Sequence, residues 1–479
     1  MPIRPRRVVV AIALLSAGIW TAAPGGGTAS VSGQSASVVG PSIGIGPSSL
    51  AAATPVRVGT EAETTRPGPQ ADGDFFSPTT LHTAHLTFTP DQWAAMQPQQ
   101  GFGAGGGFGF RDGLQGPEGA RNGVAARQGV VFEYARAGLE LDGQRFDDIA
   151  VRHKGNGSYL RGRQWNKISL KLDLNKLVNG QSVAGATTLN FQNNITDISW
   201  MNEVLAYRLY RDAGVPAPRS SFVKVYVTVA GHLQRSYMGL YSISENIDDN
   251  FLSARYGSKQ GIILKPSTSR PFTFISENWA SYLQTYDPKS DMSDAEQRWV
   301  IEFCRFVSTA TDAEFEARIG EYVDLDQFAR YFAVLAWIAN SDSLLQIGQN
   351  YYTYVTPRTP RLIFAAWDQD GSFGNFRNSA TTWAIDRPWS GTNTFLRRIY
   401  GVERFRLAYM GYLAEFSDTI FKPERFAQQI AAIAPVIRPA IAEEGTQWLT
   451  GFDQVVSGQA GIMPFARARY DFVRSALGR

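Results

Sequence analysis

Cysteine and histidine are scarce in this chain of 479 residues, and their scarcity excludes several kinds of site. Cys304 is the only cysteine, so neither an intramolecular disulfide nor a multi-cysteine zinc site can form. Its place in the apolar run WVIEFCRFV predicts a core residue rather than a nucleophile. The four histidines form no HExxH arrangement and there is no GxSxG elbow, so zinc-protease and serine-hydrolase sites have no support.

An excess of charge of one sign is also missing. The chain has 46 basic and 43 acidic residues, a formal net charge of +3. It therefore lacks the basic bias typical of nucleic-acid-binding proteins, and we expect no nucleic-acid partner. Apolar residues are plentiful at 44%, with 12% aromatics, which is ample for a large core.

The first 73 residues carry export and linker signals rather than fold signals. Arginines at positions 4, 6 and 7 precede VVVAIALLSAGIW and small residues, which predicts a signal peptide over residues 1–24. The apolar run is shorter than the roughly 20 residues that span a bilayer, so we expect no stable membrane insertion after cleavage, with a retained anchor as the alternative. Residues 25–73 are rich in Gly, Ser and Pro and predict a disordered linker. The signal peptide predicts a secreted or cell-surface protein, and the lack of cysteine pairs fits a bacterial one better than a small disulfide-stapled domain.

The remaining residues, 74–479, divide into a β-rich part (74–270) and a helical part (290–479). LHTAHLTFT predicts a strand and PDQWAAM a short helix, whereas the later half has long apolar helical periodicities. Asp324 and Gln327 form a pattern typical of a capping box. The order predicts an α+β fold. A Gly-rich tract at 101–110 is interpreted as a surface loop, with a nucleotide flap as the alternative.

The stretch from 337 to 374 places acidic side chains at the ends of regular elements. Asp342 follows an apolar segment, Asn350 precedes the strand-like YYTYV, and Asp368 and Asp370 follow LIFAAW. Carboxylate and amide oxygens are suitable ligands for a divalent cation. A carboxylate pair for glycoside hydrolysis and a structural calcium loop remain alternatives.

Basic residues that could contact phosphates lie upstream, in the β-rich part. Arg152, Lys154 and Asn156 belong to VRHKGNGS, and Lys167 and Lys171 lie on one face of the segment NKISLKLDLNK. Two further polar residues end strand-like runs: Glu245 and Lys265. An exposed strand face is the alternative interpretation of the lysines. Phosphoryl transfer uses such residue types together, but the spacing of eight from Asp342 to Asn350 exceeds that of the protein-kinase loop D-x-x-x-x-N.

Five motifs in order carry a family resemblance between Leu81 and Ile441. They are VRHKGNGS, NKISLKLDLNK, LNFQNNITDISWMNEVLAYRLYRDAGVPAPRS, MGLYSISENIDDNFL, and the pair ANSDSLLQIGQNYYTYV with WDQDGSFG. On these motifs the chain resembles the spore-coat protein H (CotH) kinase family. Two positions depart from the family pattern, since the KGNSS-like motif reads GNGSY and Gln369 replaces a commoner apolar residue.

The resemblance implies an atypical protein-kinase-like fold and transfer of the ATP γ-phosphate to Ser or Thr hydroxyls of exported or coat proteins. In that interpretation Asp342 orients the acceptor hydroxyl, Lys171 or Lys167 contacts the phosphates, and Glu245 fixes that lysine. The implied metal residues, for Mg²⁺ or alternatively Mn²⁺ or Ca²⁺, are Asp368, Asn350 and Asp370. The implied ATP-binding residues are Arg152, Lys154, Asn156, Lys167 and Lys265. The alternative is a non-catalytic metal- or nucleotide-binding coat protein, a pseudokinase.

Overall fold

The structure, a computed structural model, describes residues 73–97, 132–155, 157–376, 378–391 and 393–479. All of them belong to one compact unit, Arg57–Arg479. The predicted signal peptide, the predicted linker up to residue 72, the Gly-rich tract and Asn156 lie outside the described residues. No helix in the described ranges is both long enough and apolar enough to cross a membrane.

Seven strands of the N-terminal half close into a barrel in the order β1-β2-β3-β4-β5-β7-β6. They are β1 (Leu81–Phe88), β2 (Ala135–Leu141), β3 (Gln144–His153), β4 (Leu170–Asp173), β5 (Thr188–Gln192), β6 (Ser220–Val229) and β7 (Leu233–Glu245). The closing pair β1–β6 is parallel and the other neighbours are antiparallel. Alternate apolar residues of each strand fill one core, as the period of two requires.

A second sheet has three antiparallel strands in the order β10-β9-β8. They are β8 (Ile262–Leu264), β9 (Tyr351–Val355) and β10 (Leu362–Ala366). All residues of these strands are buried. Strands covered on both faces read as continuous apolar runs, which explains YYTYV and LIFAA.

Helices occur in both halves of the described chain. Those of the first half are α1 (Pro90–Met96), α2 (Gly157–Gly162), α3 (Asn202–Asp212) and α4 (Asp249–Tyr256). Those of the second half are α5 (Leu283–Tyr286), α6 (Asp294–Thr309), α7 (Asp312–Tyr322), α8 (Leu325–Ile338), α9 (Thr394–Gly401), α10 (Glu403–Asp418), α11 (Pro423–Glu444), α12 (Thr446–Val456) and α13 (Ile462–Ala476). The architecture is thus α+β, with a β-rich N-terminal half and a helical C-terminal half.

The barrel distinguishes this fold from an ordinary protein kinase. The family resemblance implied a kinase-like fold, but a closed seven-stranded barrel is not the N-terminal sheet of an ordinary kinase.

Cys304 is fully buried and burial raises the pKa of its thiol to about 12, which confirms it as a core residue.

The Gln327 side chain, predicted to be part of a capping box, instead joins helix α8 to strand β10. Asp324 caps α8, as predicted, by accepting from the Gln327 backbone N–H at 3.0 Å. The Gln327 side chain does not return to the cap, so the capping box is wrong. Instead it bonds both backbone groups of Phe364 in β10, donating to O at 2.7 Å and accepting from N at 2.9 Å. The two elements that precede the acidic positions are therefore held in fixed register.

Candidate functional site

Helix α8 ends where the first acidic loop begins. Ala339 adopts a left-handed conformation with φ of 49°, which ends the helix. The side chain of fully buried Asn340 then accepts from the Asp342 backbone N–H at 2.9 Å. Such side-chain turns fix a loop locally, because they satisfy backbone donors without a helix.

Asp342 is fixed on both sides by amides of its own loop. Its Oδ1 accepts from Gln349 Nε2 at 2.9 Å, and its carbonyl accepts from Asn350 Nδ2 at 2.7 Å. Burial raises the pKa of the Asp342 carboxyl to about 6, and the charge of Asp368 adds to this rise. A carboxyl with this pKa is largely ionised near neutral pH yet basic enough to accept a proton.

Strand β10 delivers the second acidic loop. Asp368 has a left-handed backbone with φ of 53°, and its N–H donates to the hydroxyl of buried Tyr207 on α3 at 3.0 Å. Gly371 ends the DQDG run, where a Cβ atom would approach Asn340 Oδ1 to 2.5 Å. The close approach of the two loops therefore requires glycine at this position.

Several carboxylates affect one another's ionisation, so they lie near each other. Burial raises the pKa of Asp370 well above its ordinary value, and Asp368 and then Asp342 raise it further. Glu203, in the first turn of α3, belongs to the same group, because burial followed by the charge of Asp368 raises its pKa to about 8. These four acidic side chains therefore influence one another's charge across the ends of α8 and β10 and the start of α3.

Glu203 is not among the site residues predicted from the sequence. It is 2% exposed, and its Oε1 accepts from Ser244 at 3.3 Å and from Gln192 at 3.5 Å. Lys154 donates to the same Gln192 side chain at 3.0 Å, and its positive charge lowers the Glu203 pKa. The sequence feature that could have indicated Glu203 is its position as a glutamate in the first turn of the helix within the motif DISWMNEVLAY.

Basic side chains gather beside Trp367, the residue before Asp368. Lys154 Nζ lies 5.0 Å and Lys265 Nζ 5.5 Å from the centre of its ring. Lys171 in β4 is paired in register with Arg152 in β3. Burial lowers the pKa of Lys171 to about 8, and the charges of Arg152 and Lys154 lower it further. Four of the basic residues predicted from sequence therefore form one group beside the acidic loops.

Lys167 forms a buried ion pair with Glu444. Its Nζ donates to both carboxylate oxygens of Glu444, each at 2.8 Å, and both side chains are almost fully buried. Trp200 and Tyr241 cover its ammonium group at 5.3 and 5.5 Å. The sequence predicted a phosphate contact, but here Lys167 joins the barrel side to the end of α11.

Glu245 does not hold a lysine, and that prediction is wrong. Its carboxylate accepts from Arg219 Nη2 at 2.8 Å and from Arg255 Nη2 at 2.6 Å. Burial opposes ionisation, but Arg255 and Arg219 keep the pKa of Glu245 below its ordinary value. This buried ion pair ties the end of β7 to α4.

The donor set suits a divalent cation bound together with a phosphorylated substrate. Asp368, Asp370 and Asn350 supply hard oxygen atoms, the ligands that divalent cations prefer. Within the described ranges no three His, Cys, Asp or Glu side chains form a group that could hold a metal. Magnesium sites in proteins often use one or two carboxylates plus substrate phosphates rather than a complete protein cage.

Comparison with known proteins gives the family. The family model described as CotH kinase protein matches residues 151–473, two-thirds of the chain, and this range includes every acidic and basic site residue named above. The chain belongs to the CotH family.

Individual relatives are distant. The inner spore coat protein H of Bacillus subtilis (strain 168) is 23% identical over 308 residues, covering 63% of this chain and 80% of that protein. Among solved structures, a complex of HipA, HipB and operator DNA from Shewanella oneidensis MR-1 matches at 13% identity. That match covers 59% of this chain and only 60% of the solved chain, and its TM-score of 0.27 is too low to bear on fold or function.

Proposed function

We propose that this CotH-family protein is an exported, metal-dependent protein kinase that transfers the γ-phosphate of ATP to Ser or Thr hydroxyls. One observation carries the proposal: the two acidic loops, joined by the buried amides of Asn340 and Gln369, lie next to lysine side chains at Trp367. Phosphoryl transfer uses this combination, because the acceptor hydroxyl needs a carboxylate while the phosphates need cations. Membership of a family described as kinase protein supports the same conclusion.

Asp342 is the residue proposed to face the acceptor. Its carboxylate takes the proton of the acceptor hydroxyl, the hydroxyl oxygen bonds to the γ-phosphorus, and ADP leaves. The bonds from Gln349 and Asn350 hold the carboxylate and its loop in one orientation, so little reorganisation is needed during the reaction.

Asp368, Asp370 and Asn350 are the residues proposed to hold Mg²⁺ or Mn²⁺. When bound, the cation neutralises the negative charge that develops on the β- and γ-phosphates. Lys154, Lys171, Lys265 and Arg152 are proposed to hold the phosphates from the opposite side. Lys154 is the best placed of them, since Gln192 connects it to Glu203, whose carboxyl limits where its ammonium group can point.

Labelled ATP tests the proposal directly. The full chain is incubated with γ-labelled ATP, Mg²⁺ or Mn²⁺, and a mixed protein acceptor. We expect label in the wild type, and a loss of roughly 10²–10⁴-fold in Asp342→Asn, the range that a general base contributes. Asp471→Asn, an exposed aspartate on α13, is the matched control. Absence of label on the wild type, or full labelling by Asp342→Asn, contradicts the proposal.

A non-catalytic nucleotide-binding protein is the second candidate, favoured by the engagement of Lys167 and Glu245 elsewhere. It predicts that ATP raises the melting temperature without any transfer of label. We further propose a coat or cell-surface location for this chain, because its relative is named as an inner spore coat protein.

A further inference from the structure

The loop between β5 and α3, residues 193–201, makes direct contact with the second acidic loop. Thr196 Oγ1 donates to Asp370 Oδ2 at 2.6 Å. Asn375 Nδ2 donates to the carbonyls of both residues, at 2.9 Å each, so their backbones are joined as well as their side chains. One carboxylate oxygen of Asp370 therefore has a fixed protein donor.

The start of α3 adds a second connection to the same loop. Asn202 is 4% exposed, and its Nδ2 donates to the carbonyls of Asp370 at 3.1 Å and of Ser372 at 3.2 Å. Asp197, 3% exposed, accepts from the Asn202 backbone N–H at 2.8 Å and from the Ser199 hydroxyl at 2.6 Å. The loop that carries Thr196 is thus held by buried bonds and is a rigid support.

We propose that Thr196 is a positioning residue for Asp370 that sets the affinity of the site for its divalent cation. Its hydroxyl occupies Oδ2 and fixes the rotation of the carboxylate, leaving Oδ1 to face the cation. Residues that orient a metal ligand in this way typically contribute roughly 10–100-fold to affinity. The inference rests on the proposed role of Asp370 and adds Thr196, which lies in a different part of the chain.

Threonine variants separate this role from a general structural one. Thr196→Val keeps the shape of the side chain and removes the hydroxyl, whereas Thr196→Ser keeps the hydroxyl. Thr309→Val is the matched control, since the Thr309 hydroxyl bonds the Arg305 carbonyl of its own helix α6. Binding of Mn²⁺ alone to the full chain is followed by loss of the electron paramagnetic resonance signal of free Mn²⁺.

We expect Thr196→Val to weaken Mn²⁺ binding roughly 10-fold or more. Thr196→Ser is expected to bind within about threefold of wild type, because its hydroxyl restores the bond to Asp370. Thr309→Val should bind as wild type does. Wild-type Mn²⁺ affinity in Thr196→Val overturns the inference. A variant whose metal-free melting temperature falls while its Mn²⁺ affinity is unchanged overturns it as well.

The measurement is independent of phosphate transfer. If the wild type binds Mn²⁺ and the variants behave as expected but no label is transferred, the kinase proposal fails and the role of Thr196 stands. If the wild type transfers label and Thr196→Val has unchanged Mn²⁺ affinity, only the role of Thr196 fails. Failure of the wild type to bind Mn²⁺ overturns the inference.

Discussion

Asn340 donates from Nδ2 to Oε1 of Gln369 at 3.3 Å, and both side chains are fully buried. The other atom of the Asn340 amide accepts from the Asp342 backbone, while Gln369 Nε2 donates to the Trp367 carbonyl at 2.7 Å. Two buried amides therefore connect the loop of Asp342 to the loop of Asp368 and Asp370. The spacing between the candidate catalytic and metal residues depends on this connection.

Replacement of Gln369 tests the connection. Leucine is closer to the apolar residue commoner in the family, yet Gln369→Leu leaves the buried Asn340 donor without its partner. We expect the free energy of unfolding in urea to fall by about 1–3 kcal/mol. Exposed Gln454→Leu on α12 is the control and should change it little. A stabilised Gln369→Leu protein would contradict the structural role given to this amide pair.

Lys167→Met tests whether Lys167 is a structural or a phosphate-binding residue. It removes the charged partner of buried Glu444 and leaves that carboxylate only the backbone N–H of Leu240, so we expect a loss of about 3–5 kcal/mol in the free energy of unfolding. The double variant Lys167→Met, Glu444→Leu should recover most of this loss, because no unpaired charge remains. ATP binding by the double variant is measured by calorimetry and should be close to wild type. A folded double variant that cannot bind ATP would restore the phosphate role.

The pH dependence of transfer tests Asp342. Its raised pKa means that the rate should rise with pH through about 6, as the carboxyl loses its proton. The stability that the protonated form contributes is complete below about pH 4 and is lost as pH rises through about 6. Asp342→Asn should therefore remove both effects. An unchanged rate profile in the residual activity of this variant would assign the titration to another group.

Glu203→Gln separates function from stability. The pKa of about 8 means that stability is lost as pH rises from the ordinary range of a glutamate through about 8, so the neutral amide should be more stable at pH 8.5. We expect a rise of about 2–4 kcal/mol in the free energy of unfolding, together with at least a tenfold lower transfer rate. Exposed Glu302→Gln on α6 should alter neither property. Wild-type transfer by Glu203→Gln would remove this residue from the site.

Local patterns in the sequence determined much of the fold. The alternation in LHTAHLTF and the buried runs YYTYV and LIFAA correspond to β1, β9 and β10. The apolar periodicity before Asp342 corresponds to α8. These signals are readable because the side-chain period of a helix or a strand is a local property of the backbone. The positions of the acidic residues at the ends of these elements followed from the same patterns.

Partner choice was decided only by the tertiary structure. Lys167 and Glu444 are 277 positions apart, and Thr196 and Asp370 are 174 apart, so neither pair leaves a local pattern. The partner of Glu245 was likewise not predictable from local sequence. The family resemblance implied a lysine partner, but the structure pairs Glu245 with Arg219 and Arg255. The sequence thus determined which residue types reach the site. Folding of the barrel against the helices decided which of them face the acidic loops, because long-range packing fixes the direction of each side chain.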